Sequence, residues 1–252
     1  RIHERYGNSK KIRPNGTLVW LHGTSVGESV AALALANSMI KNGYGSKPSE
    51  NFLLTTNTLT AAKLIKDKIK KGLPAIHQYH PYDHPKFVGN FLEHWQPNMA
   101  VFLESDFWPN LIYLTTKKQI PTILASSQMS DKSARFWSTI GLFLAKKIFS
   151  NVSQVLAVDP KQAALFKRLG AKNIKSLTSL KSIAEKPIVN INYVFNIKKN
   201  LYKKKILLAA STHPGEEELM IKLANKLRQN NQDRILIIIA PRHIKRSLAI
   251  QN

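Results

Sequence analysis

The sequence predicts an α/β protein in which helices cover a parallel sheet, with a second unit of the same kind beginning near its C-terminal end. Three observations predict this class. Short apolar runs alternate with longer stretches whose apolar residues recur at helical spacing. The 252 residues, 43% of them hydrophobic, are enough to bury one or two ordinary cores. The alternation fades between residues 178 and 204 and then resumes.

The predicted strands of the first unit are short, mostly apolar and bounded by small or polar residues. They span residues 17–22, 52–56, 75–79, 99–103, 121–125, 154–158 and 174–177. Helical spacing predicts helices over residues 28–41, 58–71, 85–94, 109–118, 134–149 and 160–169. Pro109 suits a first helical turn, because the N–H that proline lacks has no helical partner there. Strict alternation of strands and helices predicts a parallel sheet.

The composition divides the chain into a domain over residues 1–177, a linker over 178–204 and the start of a second domain over 205–252. The second domain has a predicted strand at 205–210, a helix at 216–230 and a strand at 235–240. One strand-helix-strand unit leaves a sheet edge and a helix face uncovered. We therefore expect the second domain to be incomplete in this chain.

The net charge of +23 indicates an anionic partner, because so large an imbalance repels itself. Residues 127–252 carry 23 Lys and Arg against 7 Asp and Glu, so they hold +16 of that charge. Nucleic acid, an acidic membrane and phosphorylated substrates all fit. The absence of cysteine excludes disulfides and cysteine-based metal sites. No apolar run reaches the roughly 20 residues of a membrane span, and the first residues match no signal peptide.

Small residues and a carboxylate follow the first predicted strand, at the start of the next helix, in His22-Gly23-Thr24-Ser25-Val26-Gly27-Glu28. In open α/β sheets ligands bind at this edge, and the helix N-terminus favours the ionised form of Glu28. Glu28 therefore fits a general base that takes a proton from a sugar hydroxyl. A helix-capping acid on a packing turn fits the same residue equally well.

The fourth predicted strand ends in a similar segment, Glu104-Ser105-Asp106-Phe107-Trp108-Pro109-Asn110. Its two acids would point toward the same edge as Glu28. They adjoin the apolar Phe107 and Trp108, which argues against simple solvated acids, although acids are also common at helix N-termini. Together the two acidic segments predict one site at one edge of the sheet.

Two polar segments follow the predicted strands of the second unit. Ser211-Thr212-His213 comes after the first of them, where hydroxyls and backbone N–H groups can hold a phosphate or ribose. Pro241-Arg242 comes after the second, and an Arg side chain binds phosphate through two parallel hydrogen bonds. A capped helix start and a solvated loop Arg are the structural alternatives.

Histidines at positions 77, 80, 84 and 94 raise the question of a metal site. Their spacing matches no zinc pattern and no cysteine assists, so we expect no metal. The chain has no P-loop, no G-x-S-x-G elbow and no G-x-G-x-x-G fingerprint after a strand. Kinase, hydrolase and dehydrogenase interpretations therefore lose their usual support.

Eight segments, taken in order across essentially the whole chain, resemble the bacterial 3-deoxy-D-manno-oct-2-ulosonic acid (Kdo) transferases. They are HGTSVGE (22–28), TTNTLT (55–60), YHPYD (79–83), ESDFWPN (104–110), SDKS (130–133), SLK (179–181), STHPGEE (211–217) and PRH (241–243). Any one of these segments is a weak signal. Eight in the family's order and at compatible spacings make a specific one.

The resemblance implies a GT-B glycosyltransferase with two Rossmann-like domains, the second incomplete here. It implies inverting transfer of Kdo from CMP-Kdo to the lipid A precursor in lipopolysaccharide biosynthesis, with no metal or other cofactor. It matches Glu28 to the family's general base, and Glu104 and Lys181 to positions that stabilise the transition state. The implied donor-binding residues are Ser211, Thr212, His213, Pro241 and Arg242, and the implied acceptor-side residues are Ser25 and Thr56.

The resemblance also implies a place at the cytoplasmic face of the cell inner membrane, although the N-terminal anchor of the family is absent from this chain. Both the acceptor lipid and that membrane surface are anionic, in agreement with the basic composition. The chain departs from the family pattern in four places. These are Ser126-Ser127-Gln128 for Asn-Ala-Arg, Thr178 for a common Gly, Asp106 for Glu, and the family's last CMP-site segments, which would lie beyond Asn252.

Three other interpretations stay open: an inactive truncated transferase, a CMP-sugar transferase of other specificity, and a non-enzymatic basic protein that binds anionic membrane or nucleic acid. The four Trp residues lie in or beside predicted core elements rather than among the basic residues 198–205. Because nucleic acid stacks on exposed rings, this placement argues against nucleic-acid binding. The number of Kdo residues transferred and the oligomeric state have no readable signal in the sequence.

Overall fold

A computed structural model describes residues 1–47, 49–104, 107–177, 190–201, 204–229 and 235–251. The chain forms two compact units, Arg1–Glu185 and Lys186–Asn252.

In the described part of the first unit, seven parallel strands form one sheet. They are β1 Thr17–His22, β2 Glu50–Thr56, β3 Ala75–Tyr79, β4 Met99–Leu103, β5 Thr122–Ser127, β6 Gln154–Ala157 and β7 Ile174–Ser176. Their order across the sheet is β3-β2-β1-β4-β5-β6-β7. The chain therefore adds strands outward from β1 in one direction and then resumes beside β1 in the other. The order reverses between β1 and β4, which is where open α/β sheets bind ligands.

Helices pack on both faces of this sheet. They are α1 Val26–Lys41, α2 Leu59–Lys70, α3 Pro85–Trp95, α4 Pro109–Lys117, α5 Asp131–Ser138, α6 Leu142–Phe149 and α7 Pro160–Arg168. Val19 and Leu21 of β1 belong to one core, with residues of α1 and α2. Leu18 and Trp20 belong to the other, with residues of α3, α4, α6 and α7. A strand buried on both faces reads as a continuous apolar run, and Leu18 to Leu21 is such a run.

Most helices of this unit begin at a side chain that accepts a backbone hydrogen bond from the first turn. These N-caps are Ser25, Thr58, His84, Ser130 and Asp159. Such a cap satisfies one of the N–H groups that a helix leaves without a partner, a contribution of about 1 kcal/mol. The local sequence thus sets where these five helices start at the edge of the sheet.

The single helix predicted over residues 134–149 is wrong, because the structure has two helices, α5 and α6, separated at Thr139 to Gly141. The Thr139 hydroxyl donates to the backbone oxygen of Arg135, and a side chain that bonds the backbone in this way competes with helical pairing. Gly141 fits closely against Trp137, since a Cβ there would lie 2.8 Å from that ring. Helical spacing continues across this turn, so periodicity alone did not reveal it.

The second unit contains α8 Ile191–Asn200, β8 Lys205–Thr212, α9 Glu216–Gln229, β9 Ile235–Pro241, a 3-10 turn at Ile244–Arg246 and α10 Ser247–Gln251. Strands β8 and β9 are parallel. Leu208 of β8 is 59% exposed, and Ile206 and Leu219 are also exposed. The predicted strand-helix-strand unit is therefore present, with much of its apolar surface uncovered by the described residues.

The predicted linker over residues 178–204 falls partly on residues 178–189, which lie outside the described residues. The helix α8 lies within the rest of it, where the sequence showed no clear periodicity. The domain boundaries stay a prediction. Among the described residues, no helix combines the length and the apolarity that crossing a membrane requires.

Candidate active site

The two predicted acids of the first unit follow neighbouring strands at the point where strand order reverses. β1 pairs with β4 in parallel, with His22 level with Phe102. Glu28 follows β1 at the start of α1, and Glu104 directly follows β4. Both acids are 7% exposed. The structure therefore places Glu28 and Glu104 after neighbouring strands at the carboxyl edge of the sheet, the edge at which the sequence predicts them.

Glu28 is fixed by hydrogen bonds at the N-terminus of α1. Its Oε2 accepts from the backbone N–H of Thr24 at 2.5 Å and of Ser25 at 2.9 Å. The Ser25 hydroxyl in turn accepts from the Glu28 N–H at 3.3 Å, which completes a capping box. The capping interpretation of Glu28 is thus correct as a description of its contacts. A carboxylate held in this way is also preorganised for proton transfer, so the two roles coexist.

The turn before Glu28 depends on a glycine. A Cβ on Gly23 would lie 2.9 Å from the backbone carbon of Glu28 and 3.0 Å from its Cβ. No real side chain fits at that distance without movement of the helix start. Gly23 therefore allows β1 and the N-terminus of α1 to approach closely, which brings Glu28 to the strand end.

Glu104 has a strained backbone. Its φ angle is 62°, in the left-handed region that non-glycine residues rarely adopt. The adjacent sheet holds it there, because its N–H donates to the Ala125 oxygen at 2.9 Å. Such strain costs of order 1 kcal/mol and clusters at functional sites. The neighbours Ser105 and Asp106 lie outside the described residues.

Two further residues share this backbone conformation at strand ends. Ser126 in β5 has φ 52° and Ser211 in β8 has φ 61°. Each lies at a shift in register, between Ala125 and Ser127 in one case and between Ala210 and Thr212 in the other. Such bulges redirect side chains and are frequent next to active sites. Ser211 is a predicted donor-side residue, and Ser126 lies where the sequence departs from the family pattern.

The predicted acceptor-side residues lie at the same edge, with their hydroxyls engaged. Ser25 caps α1, as described above. Thr56 is buried at the end of β2, and its Oγ1 lies 2.9 Å from Nε2 of His77. The Arg1 guanidinium lies 3.2 Å from Nδ1 of His77, and it can only donate. The His77 proton is therefore on Nε2, which donates to Thr56.

Three buried histidines, His22, His77 and His80, lie near this edge of the sheet. Burial and the nearby Arg1 lower the pKa of His77 to about 3. Burial and Arg5 lower the pKa of His80 to about 4. Burial, with His80 nearby, also lowers the pKa of His22. All three imidazoles are therefore neutral at physiological pH.

The N-terminal residues contribute to the site in a way that the sequence analysis missed. Ile2–Tyr6 forms a 3-10 helix. The buried Glu4 accepts from the Tyr79 N–H at 2.8 Å and pairs with Arg1 at 2.6 Å. Arg5 donates to the backbone oxygens of Asn57 and His80 and lies over the Tyr79 ring. The only hint of these contacts in the sequence was the mixture of charges in Arg-Ile-His-Glu-Arg.

In the second unit the predicted donor-side residues lie next to an ion pair that the sequence analysis also missed. The Thr212 hydroxyl donates to Glu217 at 2.7 Å, and the Arg242 N–H donates to the Thr212 oxygen at 3.0 Å. Arg246 donates to both carboxylate oxygens of Glu217, at 2.8 and 3.0 Å. Hydrogen bonding to Arg246 lowers the pKa of Glu217. His213 donates its backbone N–H to Glu216, and Pro241 ends β9.

The remaining predicted catalytic residue, Lys181, lies outside the described residues. Within the described ranges, no cluster of three or more His, Asp or Glu side chains is placed to hold a metal ion. The reaction without metal stays a prediction, as do the individual roles of the site residues.

Comparison with known sequences identifies the family. The family model described as 3-deoxy-D-manno-octulosonic-acid transferase (kdotransferase) matches residues 1–184. The chain belongs to the Kdo transferase family. The Kdo transferase of Rickettsia bellii is 34% identical over 250 residues, which cover 99% of this chain and 58% of that protein. An Arabidopsis thaliana protein, named as a probable mitochondrial Kdo transferase, is 33% identical over 249 residues, covering 96% and 54%.

The chain thus spans little more than half the length of those relatives. Among solved structures, a Listeria monocytogenes protein named provisionally as a UDP-N-acetylglucosamine 2-epimerase has a similar fold. Its TM-score is 0.54 at 11% sequence identity, and the match covers 94% of this chain and 65% of that one. The likeness concerns the fold alone. It agrees with the predicted α/β class of GT-B type, which is confirmed.

Proposed function

We propose that this protein transfers Kdo from CMP-Kdo to the lipid A precursor in lipopolysaccharide biosynthesis. One observation carries the proposal beyond family membership. Glu28 and Glu104 are both buried, and they follow the neighbouring strands β1 and β4, between which the strand order reverses. A buried acid that is fixed by hydrogen bonds at a ligand-binding edge is suited to acid-base chemistry.

In the proposed reaction a hydroxyl of the acceptor sugar attacks the anomeric carbon of Kdo. Glu28 takes the hydroxyl proton as the new C–O bond forms. The bond between the anomeric carbon and the phosphate oxygen breaks, and CMP leaves with its electron pair. Attack from the side opposite to CMP inverts the configuration. Glu104 and, by resemblance, Lys181 stabilise the charge that develops in the transition state.

The donor side of the proposal rests on the second unit. CMP presents a phosphate and a ribose, which hydroxyl, N–H and guanidinium groups recognise. Ser211 and Thr212 end β8, and Arg242 follows the parallel strand β9. The Glu217–Arg246 pair holds the Thr212 hydroxyl in a fixed orientation. Arg246 is thus an indirect contributor, because it acts on Thr212 through Glu217. The proposed reaction uses no cofactor.

A transfer assay tests the proposal. CMP-Kdo generated in place and a tetraacylated lipid A precursor would be incubated with the 252-residue chain and, in parallel, with a version of the relatives' length. We expect the longer version to transfer Kdo. Glu28→Gln should reduce transfer by at least about a thousandfold while CMP-Kdo binding is retained. Glu93→Gln, an exposed acid of α3, is the matched control and should leave transfer unchanged.

Two outcomes would count against the proposal. If Glu28→Gln retains turnover, Glu28 is not the base. If the folded longer protein accepts another CMP-activated sugar and rejects CMP-Kdo, the protein is a transferase of other specificity. Transfer by the longer version alone would mean that the 252 residues are insufficient by themselves.

For localisation, we propose the cytoplasmic face of the inner membrane, with contact through a surface of α5 and α6. This α5–α6 surface consists of Phe136, Ile140, Phe143 and Leu144. Ile140 and Phe143 are 86% and 85% exposed. Exposed Lys132, Arg135, Lys146 and Lys147 flank it. Apolar side chains surrounded by cations fit the headgroup region of an anionic bilayer, to which each cation contributes about 1 kcal/mol.

Vesicle flotation tests this contact. The protein should float with vesicles that contain anionic phospholipid and remain unbound with neutral ones. Ile140→Ser together with Phe143→Ser should weaken flotation at least about tenfold. Leu59→Ser is the control, because Leu59 is 81% exposed on α2. Unchanged flotation of the double variant would exclude the α5–α6 surface.

One observation favours the nucleic-acid alternative. Tyr193 and Phe195 of α8 are exposed and lie three to six positions before Lys198 and Lys199. Exposed rings beside cations can stack on bases. The four tryptophans do not lie among the basic residues in this way. Binding to a random oligonucleotide at low and high salt tests this function. A steep salt dependence that Tyr193→Ala leaves unchanged would indicate charge attraction without stacking.

A further inference from the structure

The helix α4 begins without a cap of its own. Its N-cap residue, Trp108, makes no side-chain cap hydrogen bond, and Pro109 at the first position has no N–H. The next backbone donors, Asn110 and Leu111, therefore need an acceptor from elsewhere in the chain. A helix start left without one would be poorly fixed.

Asp83, from the loop after β3, supplies that acceptor. Its Oδ2 accepts from the Asn110 N–H at 3.1 Å, and its Oδ1 accepts from the Leu111 N–H at 2.7 Å. The Asn110 side-chain amide donates back to the Asp83 backbone oxygen at 2.9 Å. One carboxylate thus caps a helix 27 residues further along the chain. Hydrogen bonds to a charged acceptor are about twice as strong as neutral ones.

His80, three residues before Asp83, makes a second contact with the same helix start. Its ring lies 4.9 Å from the Trp108 ring, centroid to centroid, and is itself buried. The His80 backbone N–H donates to the Thr56 backbone oxygen at the end of β2, at 3.1 Å. The loop after β3 is therefore bonded to the sheet on one side and to α4 on the other.

This arrangement bears on Glu104, because Glu104 lies between β4 and α4. Its own N–H is bonded to β5, and its backbone is strained. A residue in a strained conformation keeps it only when the structure on both sides holds it. The sheet holds its N–H, and α4 begins five residues further along the chain, at Pro109.

We propose that Asp83 and His80 are positioning residues for Glu104: they hold the start of α4 against the loop after β3 and so fix the segment that carries this acid. The inference rests on the proposed function, which gives Glu104 its role in the transition state. It adds residues that act without touching either substrate.

A double-mutant cycle tests the inference in a version of the relatives' length that transfers Kdo. Asp83→Asn keeps the shape of the side chain but replaces one of the two acceptor oxygens with a donor. We expect kcat to fall about tenfold to a hundredfold, with KM for both substrates changed less than about twofold, since small misplacements of a catalytic group cost rate. In a Glu104→Gln background the same change should cost less than about threefold.

Asp67→Asn is the matched control, because Asp67 is an exposed acid on α2, and it should leave kcat unchanged. Hydrogen exchange at Asn110 and Leu111 gives a readout that does not depend on activity. Their amides should exchange faster in Asp83→Asn and at the original rate in Asp67→Asn. If Asp83→Asn folds poorly, Asn110→Ala removes only the amide contact and should lower kcat about threefold, again only when Glu104 is present.

The outcomes separate the inference from the proposed function. Wild-type turnover of Asp83→Asn, or equal losses with and without Glu104, would overturn the positioning role. Wild-type turnover of Glu104→Gln would instead overturn the role of Glu104 in the proposed function, and the positioning role with it. Faster exchange at Asn110 and Leu111 would still establish that Asp83 caps α4.

Discussion

In the first unit β1 and β4 are buried on both faces, whereas in the second unit β8 carries leucine and isoleucine side chains that stay half exposed. Both units follow a strand-helix-strand plan with parallel pairing. A cavity of about 180 Å³ remains between α9 and β9, lined by Met220, Leu227 and Ile237 among others. Local sequence is thus sufficient to form such elements. Only the layers on both sides of a sheet make them a core.

This difference in packing also affects the polar residues of the candidate site. The buried acids Glu28 and Glu104 belong to the unit whose sheet is covered on both faces, where a strained or hydrogen-bonded carboxylate can be held in place. In the described part of the second unit, the fixed polar group is the ion pair of Glu217 with Arg246. Substitutions that address each unit separately therefore test how much of the site depends on packing.

The largest expected effect comes from a core residue of the first unit. Trp20 is fully buried, lies against Phe91 and Phe102, and donates to Thr55. Trp20→Ala should lower the free energy of unfolding by about 3–5 kcal/mol. Leu208→Ala in β8 should lower it by less than about 1 kcal/mol, because the side chain is largely exposed.

Hydrogen exchange measured strand by strand distinguishes the two variants. The amides of β1 and β4 should lose protection in the first, and those of β8 should change little in the second. Equal losses of stability from the two substitutions would mean that the units do not differ in packing.

The second effect is a loss of stability in acid. His77 and His80 have folded-state pKa values of about 3 and 4, below the roughly 6.5 of an unfolded histidine. The unfolded chain therefore binds more protons than the folded one between pH 6.5 and 4. Stability is greatest above pH 6.5 and falls as the pH drops through this window, by about 2 kcal/mol per histidine at pH 5.

Tryptophan fluorescence in urea can follow this loss, because the four tryptophans, at positions 20, 95, 108 and 137, all belong to the first unit. The change from pH 7 to pH 5 should shrink in His77→Gln together with His80→Gln. It should persist in His213→Gln together with His243→Gln, whose side chains are exposed in the second unit. A pH dependence that the second pair removes would contradict the assignment.

A third effect is the loss of stability when a side chain is added at Gly23, which packs against Glu28. Gly23→Ala should destabilise the first unit by about 1–3 kcal/mol, because the new Cβ meets the backbone of Glu28. Gly89→Ala in α3 should instead stabilise it by about 0.5–1 kcal/mol, since no atom lies within 4 Å of that Cβ and alanine favours the helix. Thermal unfolding of the two variants measures the difference. A neutral Gly23→Ala would mean that the start of α1 shifts easily.

The smallest effect is a backbone effect and should not depend on packing. Ser211→Gly relieves a left-handed conformation and should stabilise the second unit by up to about 1 kcal/mol. Ser176→Gly in β7 of the first unit should destabilise by about 0.5–1 kcal/mol, because glycine loses more entropy in a strand. Hydrogen exchange of the amides around each residue shows whether the substitution stabilises or destabilises its strand. A destabilising Ser211→Gly would show that its side chain, rather than its backbone, matters there.

Most of the fold was predictable because each element carries a local signal. The strand Thr17–His22 and the helix start at Pro109 appear in the structure where the sequence places them. The break between α5 and α6 was not predictable from spacing, because apolar residues recur on both sides of it. It depends on Gly141 packing against Trp137, a contact that only the folded chain contains.

The candidate site divides in the same way. The strand pattern was enough to place Glu28 and Glu104 at one edge of the sheet, since parallel strands place their carboxyl ends together. The capping role of Glu28 was also one of the two roles that the local sequence allowed. Folding added the strained backbone of Glu104 and three pairings: Glu4 with Tyr79, Asp83 with the start of α4, and Arg246 with Glu217. These partners lie far apart along the chain, and periodicity and spacing record only neighbours in sequence.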